Sequence, residues 1–205
     1  PTGSYAVMAE KDKSGSAPTT VGVRANTTQT ANLALAGASA SAVKEAQAKN
    51  AAISKVFDEA VQLSNAGNHA EAIAKFNEAI AILPNCYNCY NNIAFSYASQ
   101  KDFASAETAY KKSIEVKPDD AAAYVGLAGI YFNQGKPNDA KPLVEKAVTI
   151  DPSNADAHYI YGMTLVSSDA AKAKAEFEQF VKLAPSSPNA AIANSLIAEL
   201  AKQIK

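Results

Sequence analysis

Four proline-ended segments recur along this chain with an almost fixed period. "AIAILPN", "SIEVKPDD" and "AVTIDPSN" set Pro84, Pro118 and Pro152 34 residues apart, and "FVKLAPSS" brings Pro185 after another 33. Eight residues before these prolines stand Phe76, Tyr110, Val144 and Phe177; twelve before them stands alanine each time, at Ala72, Ala106, Ala140 and Ala173. In the first half of each unit, Tyr90, Ile93, Ala94 and Tyr97 align with Tyr124, Leu127, Ala128 and Tyr131, and again with His158, Tyr161, Gly162 and Leu165. A unit this short cannot bury a core alone, so successive units must stack. Apolar residues three and four apart predict a helix in each half. Gly67 and Gly135 fall where the chain turns between the halves and a positive φ is useful. The proline ends the second helix, and Asp120 or Asn154 is placed to cap the next first helix.

This order of aromatic, Leu-Gly, Tyr, Ala, Phe and Pro resembles the tetratricopeptide repeat over about residues 51–186, as four units near 53–86, 87–120, 121–154 and 155–187. The resemblance implies a mainly α fold: a right-handed solenoid of four helical hairpins. Unit one departs from the pattern with Val56, Glu59 and Ala60, and unit four is one residue short in its turn, "VSSDAAK". A capping helix is expected over 187–205. Ser187 would be its N-cap, Pro188 its first residue, and Ile192, Leu196, Leu200 and Ile204 its apolar stripe. Residues 37–50 are expected to extend the first helix backwards.

Residues 1–36 have another rhythm. Tyr5, Val7 and Ala9, then Val21, Val23 and Ala25, then Ala31, Leu33 and Leu35 alternate with period two, which predicts three short strands. The segment resembles the final strands of a transthyretin-like or carboxypeptidase-regulatory-like β-sandwich. Three strands leave open edges. Either preceding residues complete the module, or the strands pack on the helices, or another chain adds to the sheet.

Composition excludes several functions. The net charge is -1 with no basic run, which argues against nucleic acid and anionic membrane surfaces. No apolar run approaches the ~20 residues of a transmembrane helix. His69 and His158 fall in units one and four and do not converge with Cys86 and Cys89, so neither a zinc site nor a catalytic constellation is expected. No phosphate loop, HExxH or nucleophile elbow occurs. The expectation is a non-enzymatic protein without cofactor or metal. The chain starts at Pro1 and reads as a mature or trimmed product. Two close cysteines, abundant Ser and Thr, and the sequon at Asn26, a candidate glycosylation site, suit an exported bacterial protein.

In the repeat register Cys86 takes the N-cap slot of a helix and Cys89 the third helical position. A disulfide between them is geometrically feasible and would act as a local staple; a thiol-redox centre is the competing reading, since a helix N-terminus stabilises a thiolate. The family resemblance implies a groove lined by positions two, five, nine and twelve of each first helix. Carried onto this chain, the groove residues include Phe57, Val61, Asn88, Asn91, Phe95, Val125, Phe132, Asn133, Tyr159 and Met163. The groove lacks the lysines of a clamp for acidic tails. Two functions follow: a structural subunit that self-assembles through its β segment and repeat surfaces, and a monomeric adaptor that holds a separate peptide or protein.

Overall fold

The computed structural model describes residues 4–7, 21–24 and 40–204. It divides into two compact units, Pro1–Asn50 and Ala51–Lys205. In the first, β1 (Ser4–Val7) pairs antiparallel with β2 (Val21–Arg24), with Tyr5 opposite Val23 and Val7 opposite Val21. They fall within two of the three expected strand segments, but a two-stranded ribbon does not support the β-sandwich resemblance. The third, at Ala31 to Leu35, and the Asn26 sequon lie outside the described residues.

The second unit is built of helical hairpins. α1 (Ala40–Asn65) pairs with α2 (His69–Ile82), α3 (Tyr87–Ser99) with α4 (Phe103–Val116), α5 (Ala121–Asn133) with α6 (Pro137–Ile150), and α7 (Ala155–Leu165) with α8 (Ala170–Leu183); α9 (Ala190–Gln203) packs on α8. The second helices end at Ile82, Val116, Ile150 and Leu183, each two residues before its repeat proline. Proline disfavours helical geometry in the residue before it, so the helix stops there. In the turns Gly67 and Gly135 have φ of +81° and +72°, and Lys101, at the same repeat position, is held at +62°.

Capping differs between units. Asn154 accepts from the Ala157 amide at 3.0 Å, Asp102 from Ser105 at 3.1 Å and Asp169 from Lys172 at 2.9 Å. Asp120, expected to cap α5, makes no side-chain cap bond; its carboxylate is drawn across to Asn91 of the preceding unit.

The four repeat alanines are buried, as are Phe76, Tyr110, Val144 and Phe177. Small against large is how the hairpin closes: a Cβ at Gly162 would lie 2.8 Å from the Phe177 ring. Burial pushes the Tyr110 hydroxyl up to about 12. An aromatic slot ties each unit to the turn before it. Tyr90 donates to the Pro84 carbonyl at 3.4 Å and Tyr124 to Pro118 at 3.1 Å. In unit four His158 does the same work: its Nε2 lies 3.0 Å from the Pro152 carbonyl, an acceptor, so Nε2 carries the proton. The ring is buried, and its Nδ1 lies 2.6 Å from Glu176.

The capping helix differs from expectation in two respects. It starts at Ala190, with Asn189 as N-cap. Ser187 instead accepts from the Asn189 amide at 3.3 Å. Its buried stripe is Ala190, Ala193 and Leu200 with Leu196 and Ile197 beside them, while Ile192 and Ile204 are exposed. A strict four-residue spacing gains about 40° per step on a helix of 3.6 residues per turn, so its ends rotate off the core face.

Candidate partner-binding surface

The first helices form a continuous row. The Ser64 and Ser96 hydroxyls, 3.4 Å apart, join α1 to α3; the Asn91 amide donates to Asp120 Oδ2 at 2.5 Å between α3 and α5; and Gly129 of α5 faces Ile160 of α7.

Not every expected groove residue is available on this row. Phe57 is only 8% exposed, and its ring meets Phe76 edge-on at 5.4 Å. Tyr159, at the same repeat position, packs on Phe177 and Phe180, with ring centroids 6.0 and 5.0 Å apart. In units one and four the aromatic at the fifth position thus packs into its own hairpin. Phe57 is corrected to a core residue. Val125 is half-buried against Ala121, Ala147 and Ala157, while Met163 and Phe132 are half-buried on the Phe177 cluster. Val61, Asn88 and Asn91 are half-buried, and Asn133 is exposed at the end of α5. No hydrogen-bond partner meets the Asn91 Oδ1 among the described residues.

Phe95 stands apart. It is 52% exposed, the most exposed large apolar side chain among the described residues. His69 is half-buried with its ring edge-on to Phe95 at 6.3 Å. The sequence signal for Phe95 is its position nine in a helix without charge; periodicity alone could not separate it from Phe57.

Charge is segregated. α3, α5 and α7 together carry one carboxylate, Asp156, and no lysine or arginine. The second helices carry the ion pairs: Lys111–Glu107 at 2.6 Å, Lys112–Glu115 at 2.9 Å and Lys174–Glu178 at 2.6 Å. The Lys111 ammonium, hydrogen-bonded to Glu107, holds that carboxyl below the usual range, and the Tyr131 hydroxyl also donates to it at 2.9 Å. On this side two clefts of about 650 and 490 Å³ repeat with the units. Ile93, Tyr97, Ala104 and Thr108 line one; Leu127, Tyr131, Asn138 and Pro142 line the other.

Cys86 and Cys89 form a disulfide with Cα atoms 5.2 Å apart. Cys86 is the N-cap of α3, and its sulfur accepts from the Cys89 amide at 3.2 Å. The staple replaces the oxygen cap that Asn154 supplies to α7. Both residues are buried, at 4% and 0% exposure, which shields the sulfurs from attack by a thiolate. The closed loop is tiny, so chain entropy contributes no more than about 2 kcal/mol. Among the described residues no cluster of His, Cys, Asp and Glu could hold a metal ion, and no helix is long and apolar enough to cross a membrane.

A tetratricopeptide repeat family model matches residues 63–128 and 97–162. Among curated proteins no sequence matches. Solved structures similar to the chain include PilF of Pseudomonas aeruginosa, 18% identical with a TM-score of 0.67, over 76% of this chain and 70% of that one. YrrB, a repeat protein described with an unusual peptide-binding site, is 17% identical with a TM-score of 0.56, over 75% and 88%. The first repeat domain of Spaghetti (RPAP3), solved with the HSP90 peptide SRMEEVD, is 18% identical with a TM-score of 0.53, over 58% and 92%. At these identities the likeness is one of fold. With the 34-residue period, the hairpins and the family match in agreement, the chain belongs to the tetratricopeptide repeat family.

Proposed function

We propose that the protein is a non-enzymatic interaction scaffold whose hairpins coil into a right-handed solenoid and hold a peptide or protein segment along the first-helix row. The single observation that carries this reading is Phe95, half-exposed on a helix face without charge. A large aromatic side chain half in water beside half-buried amides is suited to anchoring a partner. Neighbours in fold support the use: one is solved with a bound peptide and another is described by its peptide-binding site. The buried disulfide supports an oxidising, exported setting.

The test uses peptides selected by the full chain from a random displayed library. Phe95→Glu is expected to weaken them at least tenfold while moving the urea midpoint little, because half of the side chain already faces water. Binding that survives the substitution would place the site elsewhere.

A second reading, self-assembly through the β segment, is favoured by one observation. β1 and β2 form a two-stranded sheet, so among the described residues each has one unpaired edge open to strand addition. Stacking of the helical ends is disfavoured. Unit one carries the Lys75 network to Glu59 and Glu78, at 3.8 and 2.9 Å, and α9 covers the last hairpin. Light scattering at rising concentration is expected to show oligomers that disappear on deleting residues 1–36. A concentration-independent monomer removes this reading.

A further inference from the structure

On the second helices, Glu78, Glu107, Glu115, Glu145 and Glu178 each have a lysine within 4.0 Å. On the first-helix side, Asp120 at the start of α5 and Asp156 in the first turn of α7 have no lysine, arginine or histidine partner among the described residues, and α3, α5 and α7 contain no lysine or arginine that could supply one. Carboxylates at helix N-termini are ordinarily explained by the helix dipole and by capping. Asp120 is the exception, because it does not cap α5. It accepts instead from Asn91, which lies on α3 one turn before Phe95. Side chains four apart on a helix are neighbours at about 5–6 Å, so a carboxylate is tethered one turn from the exposed ring. A helix N-terminus carries about half a positive charge, which leaves the start of α5, with Asp119 beside Asp120, net negative. The nearest cation in sequence, Lys117, lies over the Tyr87 ring at 4.3 Å.

Resting on the groove reading above, we infer that the segment held on this surface pairs an apolar side chain with a basic one. The apolar group covers Phe95. The cation, a lysine or arginine side chain or a free α-amino group, meets Asp120 and, further along the row, Asp156. The charge preference is opposite to that of a site for an acidic tail, and it follows from charge complementarity with α3, α5 and α7, which contain no lysine or arginine.

The experiment pans a random displayed library of twelve-residue peptides against the immobilised full chain at low salt, then measures selected peptides in solution. The expected result is an excess of Lys or Arg next to an apolar residue. Replacing that basic residue by Gln weakens binding about fivefold, the scale of a partly exposed ion pair, and 0.5 M salt does the same. Asp120→Asn, which keeps a hydrogen-bond acceptor for Asn91, and Asp156→Asn each remove part of the preference without moving the urea midpoint. Selected peptides that need Phe95 but show no basic excess, or an acidic one, overturn this inference and leave the groove reading intact. Peptides indifferent to Phe95→Glu, or no selected peptides at all, overturn both.

Discussion

Phe177→Ala is expected to lower the unfolding free energy by about 3–5 kcal/mol, the cost of truncating a fully buried phenylalanine. The ring has no exposure and lies at the centre of a cluster formed by Tyr161, Leu165, Val144, Phe180 and Leu200, which belong to α6, α7, α8 and α9. The opposing Gly162 and the alanines Ala128, Ala140 and Ala173 have no longer side chain with which to refill the space. In a repeat array each unit contacts its neighbours only, so the damage stays local. Hydrogen exchange should therefore rise in α7, α8 and α9 and change little in α2 and α3. The measurement is urea unfolding of the full chain with exchange read by segment. A loss below about 1 kcal/mol would mean the C-terminal hairpin is not packed as described.

One substitution should have opposite signs at two glycines of the first helices. Gly162→Ala is expected to destabilise by about 1–3 kcal/mol through overpacking, because the added Cβ would sit 2.8 Å from a ring that is itself fully buried. Gly129→Ala is expected to be neutral or to stabilise by up to about 1 kcal/mol, the gain in helix propensity. Its Cβ meets only Ile160 Cδ1, at an ordinary 3.7 Å. Thermal or urea unfolding of the two variants side by side decides the matter. Equal effects would contradict the close approach of α7 and α8.

Much of the architecture was readable from single residues. The ends of the second helices follow Pro84, Pro118, Pro152 and Pro185, and the turns follow Gly67 and Gly135. The register alone put Cys86 and Cys89 at the cap of α3, with a staple and a redox centre both open; in the structure they are joined there as a disulfide. The groove was less legible. Phe57 and Phe95 are both aromatic and both sit on first helices, yet one is core and the other is half in water. Asp120 and Asn154 hold the same slot, yet only Asn154 caps its helix, because only Asp120 has an amide donor from Asn91 within reach. The α9 stripe was misread for a geometric reason, since a four-residue spacing drifts around a helix of 3.6 residues per turn.

Those outcomes share one physical cause. Helix ends, turns, caps and the pairing of two cysteines three residues apart are decided by covalent geometry and by neighbours along the chain, so a 34-residue period carries them. Whether a ring is an anchor or a brick, whether a glycine is required or replaceable, and which carboxylate is left without a lysine are decided by side chains 15 to 31 residues away. Those partners are chosen when the hairpins close and stack. The sequence by itself determined that this chain is a repeat of helical hairpins; the tertiary structure decided that its first-helix side bears the half-exposed Phe95 and an Asp120 tied to Asn91 rather than to a cation.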